Sequence, residues 1–250
     1  MSSTRDESGW QRWNTHFSTS VEVELFGKTL RLAQDPNSQN LGTTVWDASI
    51  VLAKWLEKGA RRGEFARQKL RGKSAIELGA GTGLAGLALA MLSCNIVLTD
   101  TAQILRLLQM NYDANLSPAA CSGLDLPCLS ELGAVSVQEL DWTRPEQYAT
   151  LAPPYDFVLA ADCVYHEELV QNFFDAVLAM VSLKTTVVIC NEFRSDSVHT
   201  RFKQLFEPRF AMKRVPHAKM DAVCQHQNID IYICKLRKDV AASRPVPAAG

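Results

Sequence analysis

The chain has almost no excess charge of either sign. Twenty-six Lys and Arg stand against 27 Asp and Glu, a net charge of −1, so the basic surplus of a general nucleic-acid binder is missing. Long apolar runs are missing as well. The longest are interrupted within about 10 to 14 residues, too short to cross a bilayer, and the start Met1-Ser2-Ser3-Thr4-Arg5 carries no signal-peptide core. Neither nucleic acid nor membrane is therefore expected as a partner, and a cytoplasmic setting is expected, with the nucleus as a second. Seven cysteines, an odd number, form no C-x-x-C pair and have no histidine at zinc-finger spacing. Reduced thiols are expected, with Cys190 and Cys234 packing inside strands and only Cys163 beside a candidate site. His166-Glu167-Glu168 lacks the second histidine of H-E-x-x-H, since position 170 is Val, so no metal is expected. Asn115-Leu116-Ser117 has the form of a glycosylation acceptor and is expected to stay bare.

What is present is apolar enough to fold. With 47% hydrophobic and 21% charged residues in a 250-residue chain, one large α/β domain with a full core is the expectation. It spans residues 19–238, between a polar, mobile segment at 1–18 and an Ala- and Pro-rich, disordered tail at 239–250. Trp10, Trp13 and Phe17 are unusual in a mobile segment and leave its role open. Val21, Val23 and Leu25 alternate with Glu22 and Glu24, and Phe26-Gly27 separates them from Leu30 and Leu32. That pattern reads as a β-hairpin within residues 19–40, an appendage on the substrate side. Residues 41–73 read as a helical cover: Val45, Ala48, Leu52, Trp55 and Leu56 fall at helical spacing over 45–57, with Trp46 and Asp47 off the stripe.

From residue 74 onward strands and helices alternate, the pattern of a sheet with helices on both faces. The strands are expected at 75–78, 95–99, 134–140, 155–160, 185–190, 210–215 and 229–236. Helices are expected at 82–92, 101–114 and 167–182, and a loop at the insertion 117–132. The last two strands are joined by 216–228, which has no helical period, so they are expected to pair antiparallel.

The chemistry is concentrated where strands end. Glu77-Leu78-Gly79-Ala80-Gly81-Thr82-Gly83 is an apolar strand leading into alternating glycines, where a nucleotide-like cofactor can approach bare backbone. The next strand ends on Asp100, about 20 residues past Gly79, at the place of a ribose-binding carboxylate. Residues 81–86 also satisfy G-x-G-x-x-G, but the register fits a dinucleotide poorly. Glu77 would set a carboxylate at the cofactor's polar end, repelling a pyrophosphate and attracting a methionine ammonium. S-adenosylmethionine suits the acid better. Glycines that serve only tight packing remain the plain alternative. The fourth strand leaves its apolar run at Asp162-Cys163-Val164-Tyr165, so Asp162 should share a crevice with Gly79, Asp100 and Trp142. Asp162 could instead cap the following helix, Tyr165 could belong to the core, and Trp142 could be an apolar plug rather than a wall for adenine.

These motifs resemble the seven-strand protein-lysine methyltransferases that carry an Asp-x-x-Tyr signature. The resemblance spans roughly residues 41–238. It rests on Glu77 to Gly83, Asp100, Asp141-Trp142 and Asp162 to Tyr165, together with Val45-Trp46-Asp47-Ala48, Glu192-Phe193-Arg194 and Ile229-Asp230-Ile231-Tyr232-Ile233. It implies a seven-stranded, Rossmann-like class I methyltransferase sheet and transfer of a methyl group from S-adenosylmethionine to the ε-amine of a lysine. It also implies that Trp46, Gly79, Ala80, Gly81, Asp100, Trp142 and Ala161 contact the cofactor, while Asp162 and Tyr165 face the lysine. The implied partner is a protein, such as an AAA ATPase, another chaperone or a translation factor, bound by a monomer. A small-molecule methyltransferase would share every cofactor residue. A non-catalytic chaperone-binding module and a nicotinamide dehydrogenase are the other rivals.

Overall fold

The computed structural model describes residues 15–122 and 131–238. Trp10, Trp13, Cys128, the 239–250 tail and the middle of the 117–132 insertion lie outside them. The chain is already anchored within the segment expected to be mobile: Thr15–Phe17 form a 3-10 turn, and Thr15 Oγ1 donates to the Val45 carbonyl at 2.6 Å.

Strands β1 (Ser20–Leu25) and β2 (Lys28–Ala33) pair antiparallel across Phe26-Gly27, both at positive φ as a tight hairpin turn demands. Their alternation turns Val21, Val23, Leu25, Leu30 and Leu32 into the core. The amides of Asn111 and Asn115, one helical turn apart, close the outer edge of β2. Their Oδ1 atoms accept from Ala33 N and Arg31 N at 2.7 and 2.8 Å. Asn115 is thus buried and engaged.

The main sheet is built from β3 (Ser74–Leu78), β4 (Asn95–Asp100), β5 (Val135–Glu139), β6 (Phe157–Ala161), β7 (Thr186–Glu192), β8 (Phe210–Arg214) and β9 (Ile229–Leu236). Their spatial order is β5-β4-β3-β6-β7-β9-β8. The first five are parallel, and β9 runs antiparallel to both neighbours, as the loop between the last two strands led one to expect. Among the described residues seven α-helical segments accompany them: α1 (Asp47–Gly59), α2 (Arg67–Leu70), α3 (Leu84–Ala90), α4 (Ala102–Asn115), α5 (Pro118–Cys121), α6 (Glu167–Met180) and α7 (Asp196–Phe206).

Period-two alternation splits the core. Ala75, Leu159 and Val188 pack with Leu52 of α1 and Leu87 of α3 on one face. Ile76, Val158 and Ile189 pack with Phe173 of α6 and Phe202 of α7 on the other. β7 is buried at every position, as a central strand must be. Burying each such Val or Ile is worth on the order of 2 kcal/mol.

Three features depart from the sequence reading. α3 begins at Leu84 rather than 82, because Gly83 holds φ at +90°, outside the helical region. The insertion is not wholly loop: Ser117 Oγ caps α5 by accepting from Ala120 N at 3.2 Å. α7, which the sequence reading left unassigned, is capped by Ser195 and buries Val198, Phe202 and Phe206 at intervals of four.

Candidate active site

The strand order reverses between β3 and β6, so their carboxyl ends diverge into a crevice. A cavity of about 500 Å³ opens there. Its wall includes Trp46, Gly79, Ala80, Gly81, Asp100, Trp142, Ala161, Asp162 and Tyr165, nine of the site residues read from sequence, drawn from five separate segments.

Backbone forms one side. Gly79 and Gly81 hold φ at +63° and +55°. A Cβ on Gly79 would stand 2.9 Å from both Cys163 Sγ and Trp142 Cζ2, and one on Gly81 would stand 3.0 Å from the Gly42 carbonyl. Only glycine fits both the conformation and the space. Asp100 pins the turn: its Oδ2 accepts from Gly81 N and its Oδ1 from Thr101 N, each at 2.8 Å. Burial pushes its carboxyl above the usual range, while the two N–H donors pull it back. Thr101 Oγ1 also donates to Oδ1, at 3.4 Å, so one lone-pair direction, on Oδ2, remains for a ligand's hydroxyl.

Side chains form the other side. Asp162 is only 8% exposed and sits at φ +58°, a left-handed position that Asp tolerates. Its amide donates to the Cys190 carbonyl at 2.7 Å. Its Oδ1 accepts from Glu192 N at 3.3 Å, and its Oδ2 pairs with the Arg194 guanidinium. His166, not Asp162, occupies the N-cap of α6, so the capping alternative falls away. Burial raises the Asp162 carboxyl above its usual value, and Arg194 opposes this. Tyr165 is likewise raised, first by burial and then by the nearby Cys163, Asp100 and Asp162. The Cys163 thiol is pushed well above its usual value by burial and donates to the Leu78 carbonyl at 3.1 Å. It is a neutral packing group, not a nucleophile.

Two expected cofactor residues are not on the cavity wall. Glu77 shares the face of Ala75, so alternation points it under α3, where it is 1% exposed and accepts from Gly86 N at 2.9 Å. Burial pushes its carboxyl up to about 8, so at neutral pH it is mostly protonated and presents no anion to a ligand. Gly83 is the N-cap of α3, set back from the wall. Its Cβ would meet Leu108 at 2.7 Å, so its role is packing.

The structure also adds residues. Gly42 and Thr44 belong to a strap that crosses the glycine turn, and Ile104 of α4 backs it. Arg194, which appeared in the sequence only as part of a resembling block, closes the cavity beside Asp162. Its guanidinium carbon lies 5.4 Å from the Trp46 ring centroid, and Trp46 Nε1 donates to the Leu41 carbonyl at 3.0 Å. Trp142 packs on Phe173 with ring centroids 5.1 Å apart. Its buried Nε1 has no hydrogen-bond partner.

The sheet order and the crevice define a class I methyltransferase fold. The chain matches a Thermus thermophilus 16S rRNA guanosine methyltransferase, solved with AdoMet and guanosine, at a TM-score of 0.57 and 17% identity. That match covers 87% of this chain and half of the other. Magnesium protoporphyrin IX methyltransferase of Synechocystis, solved with SAH, gives a TM-score of 0.52 at 10% identity, covering 76% and 84%. Residues 25–207 match the lysine methyltransferase family, and the chain belongs to it. Among its relatives, protein N-lysine methyltransferase METTL21A of Danio rerio is 32% identical, with 79% of this chain and 81% of the relative covered. The METTL21A of Xenopus tropicalis is 27% identical over 91% and 92%. EEF1A lysine methyltransferase 3 of the same frog is 28% identical over 82% and 80%.

The chain is accordingly an S-adenosylmethionine-dependent protein-lysine methyltransferase. Its wall fits that cofactor on its own chemistry. A bare-backbone cradle at Gly79 and Gly81 faces a carboxylate with an acceptor position left on Oδ2, and beside them stands an indole surface with an unpaired donor.

Proposed function

We propose that this enzyme methylates the ε-amine of a lysine in a chaperone, an AAA ATPase or a translation factor, and that Asp162 and Tyr165 receive that lysine. In this reading Asp100 would hold the ribose hydroxyls, Gly79 to Gly81 would lie against the methionine portion, and Trp46, Trp142 and Ala161 would complete the wall. The observation that carries it is the placement of one buried acid and one phenol, Asp162 and Tyr165, on the same cavity as Asp100 and the glycine cradle. S-adenosylmethionine, when bound, supplies a methyl group on a cationic sulfur.

The difficulty for the residues is the proton. At pH 7 a lysine of pKa ~10.4 is neutral about once in 2500, a cost of ~4.6 kcal/mol. Asp162 captures the ammonium, orients it and takes part in removing its proton, and Tyr165 fixes the amine's direction.

The substrate class rests on two likenesses. The blocks around Trp46 and Asp162 resemble the valosin-containing protein lysine methyltransferase, which favours an AAA ATPase, while one relative is named for EEF1A. A cytoplasmic or nuclear setting suits the free thiols of Cys94, Cys163, Cys190, Cys224 and Cys234, all buried, and the enzyme is proposed to act as a monomer. The test is incubation with tritiated S-adenosylmethionine and a cell extract. Label in methyllysine of one protein band is expected. Label confined to small molecules would instead make this a small-molecule enzyme, and failure to bind cofactor would favour a non-catalytic binding module.

A further inference from the structure

Arg194 stands at the point where this proposed reading meets its main electrostatic difficulty. A carboxylate beside a lysine stabilises the ammonium and opposes the loss of its proton. A carboxylate as buried as Asp162 also tends to become protonated and lose its hold on a cation. Arg194 counters both tendencies from one position. One of its terminal nitrogens pairs with Asp162 Oδ2, and the other lies 3.1 Å from Glu192 Oε2. The guanidinium is held over the Trp46 ring, its side chain 28% exposed on the cavity wall.

Resting on the lysine-methylation reading, we infer that Arg194 is a positioning residue: it fixes Asp162, keeps it ionised and offsets its charge, so that a captured lysine loses its proton near neutral pH. The groups that face Asp162 come from two elements and their ends. Arg194, Glu192 and Cys190 belong to β7 and the residues just after it, and Cys163 and Tyr165 follow β6. Asp100 at the end of β4 acts on Tyr165 and Cys163 in turn. Of these only Arg194 is a cation. Without it, either Asp162 needs a higher pH to ionise or the lysine beside an uncompensated Asp162 needs a higher pH to lose its proton. Both consequences move the acidic limb of the rate profile in the same direction.

The experiment compares wild type, Arg194→Gln and Arg194→Lys. Methyl transfer into the proteins of a cell extract is counted as methyllysine after acid hydrolysis, against a blank without added enzyme, from pH 6 to 10. In parallel, the Asp162 carboxyl carbon is titrated by NMR in the cofactor-free protein. In Arg194→Gln the acidic limb should rise by about 1 to 2 pH units. Turnover should fall tenfold or more at pH 7 and recover most of that loss by pH 9.5. The Asp162 carboxyl should titrate at least one unit higher, while Arg194→Lys keeps both close to wild type. A limb that stays put, a loss by one factor at every pH, an unmoved carboxyl titration, or a Lys variant displaced as far as the Gln variant overturns the inference. Absence of methyllysine from the wild-type reaction strikes the proposed function instead, and the carboxyl titration still decides what Arg194 does to Asp162.

Discussion

The two halves of the cavity are built by different means. The β3–β4 half is backbone: two glycines at positive φ, the second of them tied through its N–H to Asp100, which also accepts from Thr101 N. The β6–β7 half is side chain: Asp162, Tyr165 and Arg194, held by an ion pair across 32 residues of sequence. A backbone cradle is determined by which residues lack a side chain and is tolerant of its surroundings. An ion pair depends on its partner, because removing Arg194 leaves Asp162 buried without its cation. In the proposed function the first half would hold the cofactor and the second would receive the lysine.

The sharpest way to break this contrast is Asp162→Asn. It keeps the shape, removes the charge and leaves Arg194 without its nearest acid. Methyl transfer should fall about 10³-fold, while cofactor affinity by calorimetry stays within about threefold. A loss of cofactor affinity comparable to the loss of rate would merge the two halves into one unit. Gly79→Ala attacks the other side. The left-handed conformation costs about 1 to 2 kcal/mol in a residue with a Cβ, and that Cβ meets Cys163 and Trp142 at 2.9 Å. Cofactor affinity should drop about 100-fold, with the melting temperature lowered by several degrees. Unchanged affinity would show that the cradle is not where the ligand lies. Asp100→Asn should weaken cofactor binding by about 10- to 30-fold, the worth of one charged hydrogen bond, and should leave the pH dependence of the chemical step in place.

The same contrast explains what could be read without coordinates. Glycines and the acids at strand ends are local signals: the turn at Gly79 and Gly81, Asp100 and Asp162 were all legible, because an apolar run followed by a polar residue marks where a strand stops. Arg194 was not legible as a functional group. Its pairing with Asp162 requires β6 and β7 to be neighbours in one register, Ala161 opposite Cys190, and nothing near residue 194 states that register. The strap at Gly42 was hidden for the same reason, since its partner Gly81 is remote in sequence. α7 was legible in principle, from Ser195 ahead of Val198, Phe202 and Phe206, but its apolar stripe is a single row within a polar stretch. Glu77 is a different kind of miss. Alternation within β3 turns it away from the crevice, and this geometry outweighs the attraction its charge would have for a cofactor's ammonium.

Glu77 therefore supplies the smallest and most specific test, one that separates the acid under α3 from those on the cavity wall. Its carboxyl is raised from 4.5 to about 8 in the folded protein by burial. Between those values the folded state keeps a proton that the unfolded chain has released, so stability falls as pH rises, by up to about 1.4 kcal/mol per pH unit. Below about pH 4.5 both states are protonated and above about pH 8 both are ionised, so the contribution of this group levels off at each end. Glu77→Gln keeps an oxygen for the Gly86 N–H and has no proton to release. Its unfolding free energy, measured by urea between pH 5 and 8, should lose much of the downward slope. Cofactor affinity should stay within about threefold, since the side chain sits on the opposite face of β3 from Leu78 and Ile76 and off the cavity wall. If the slope persists while cofactor binding collapses, Glu77 reaches the ligand after all, and alternation is the wrong guide to this strand.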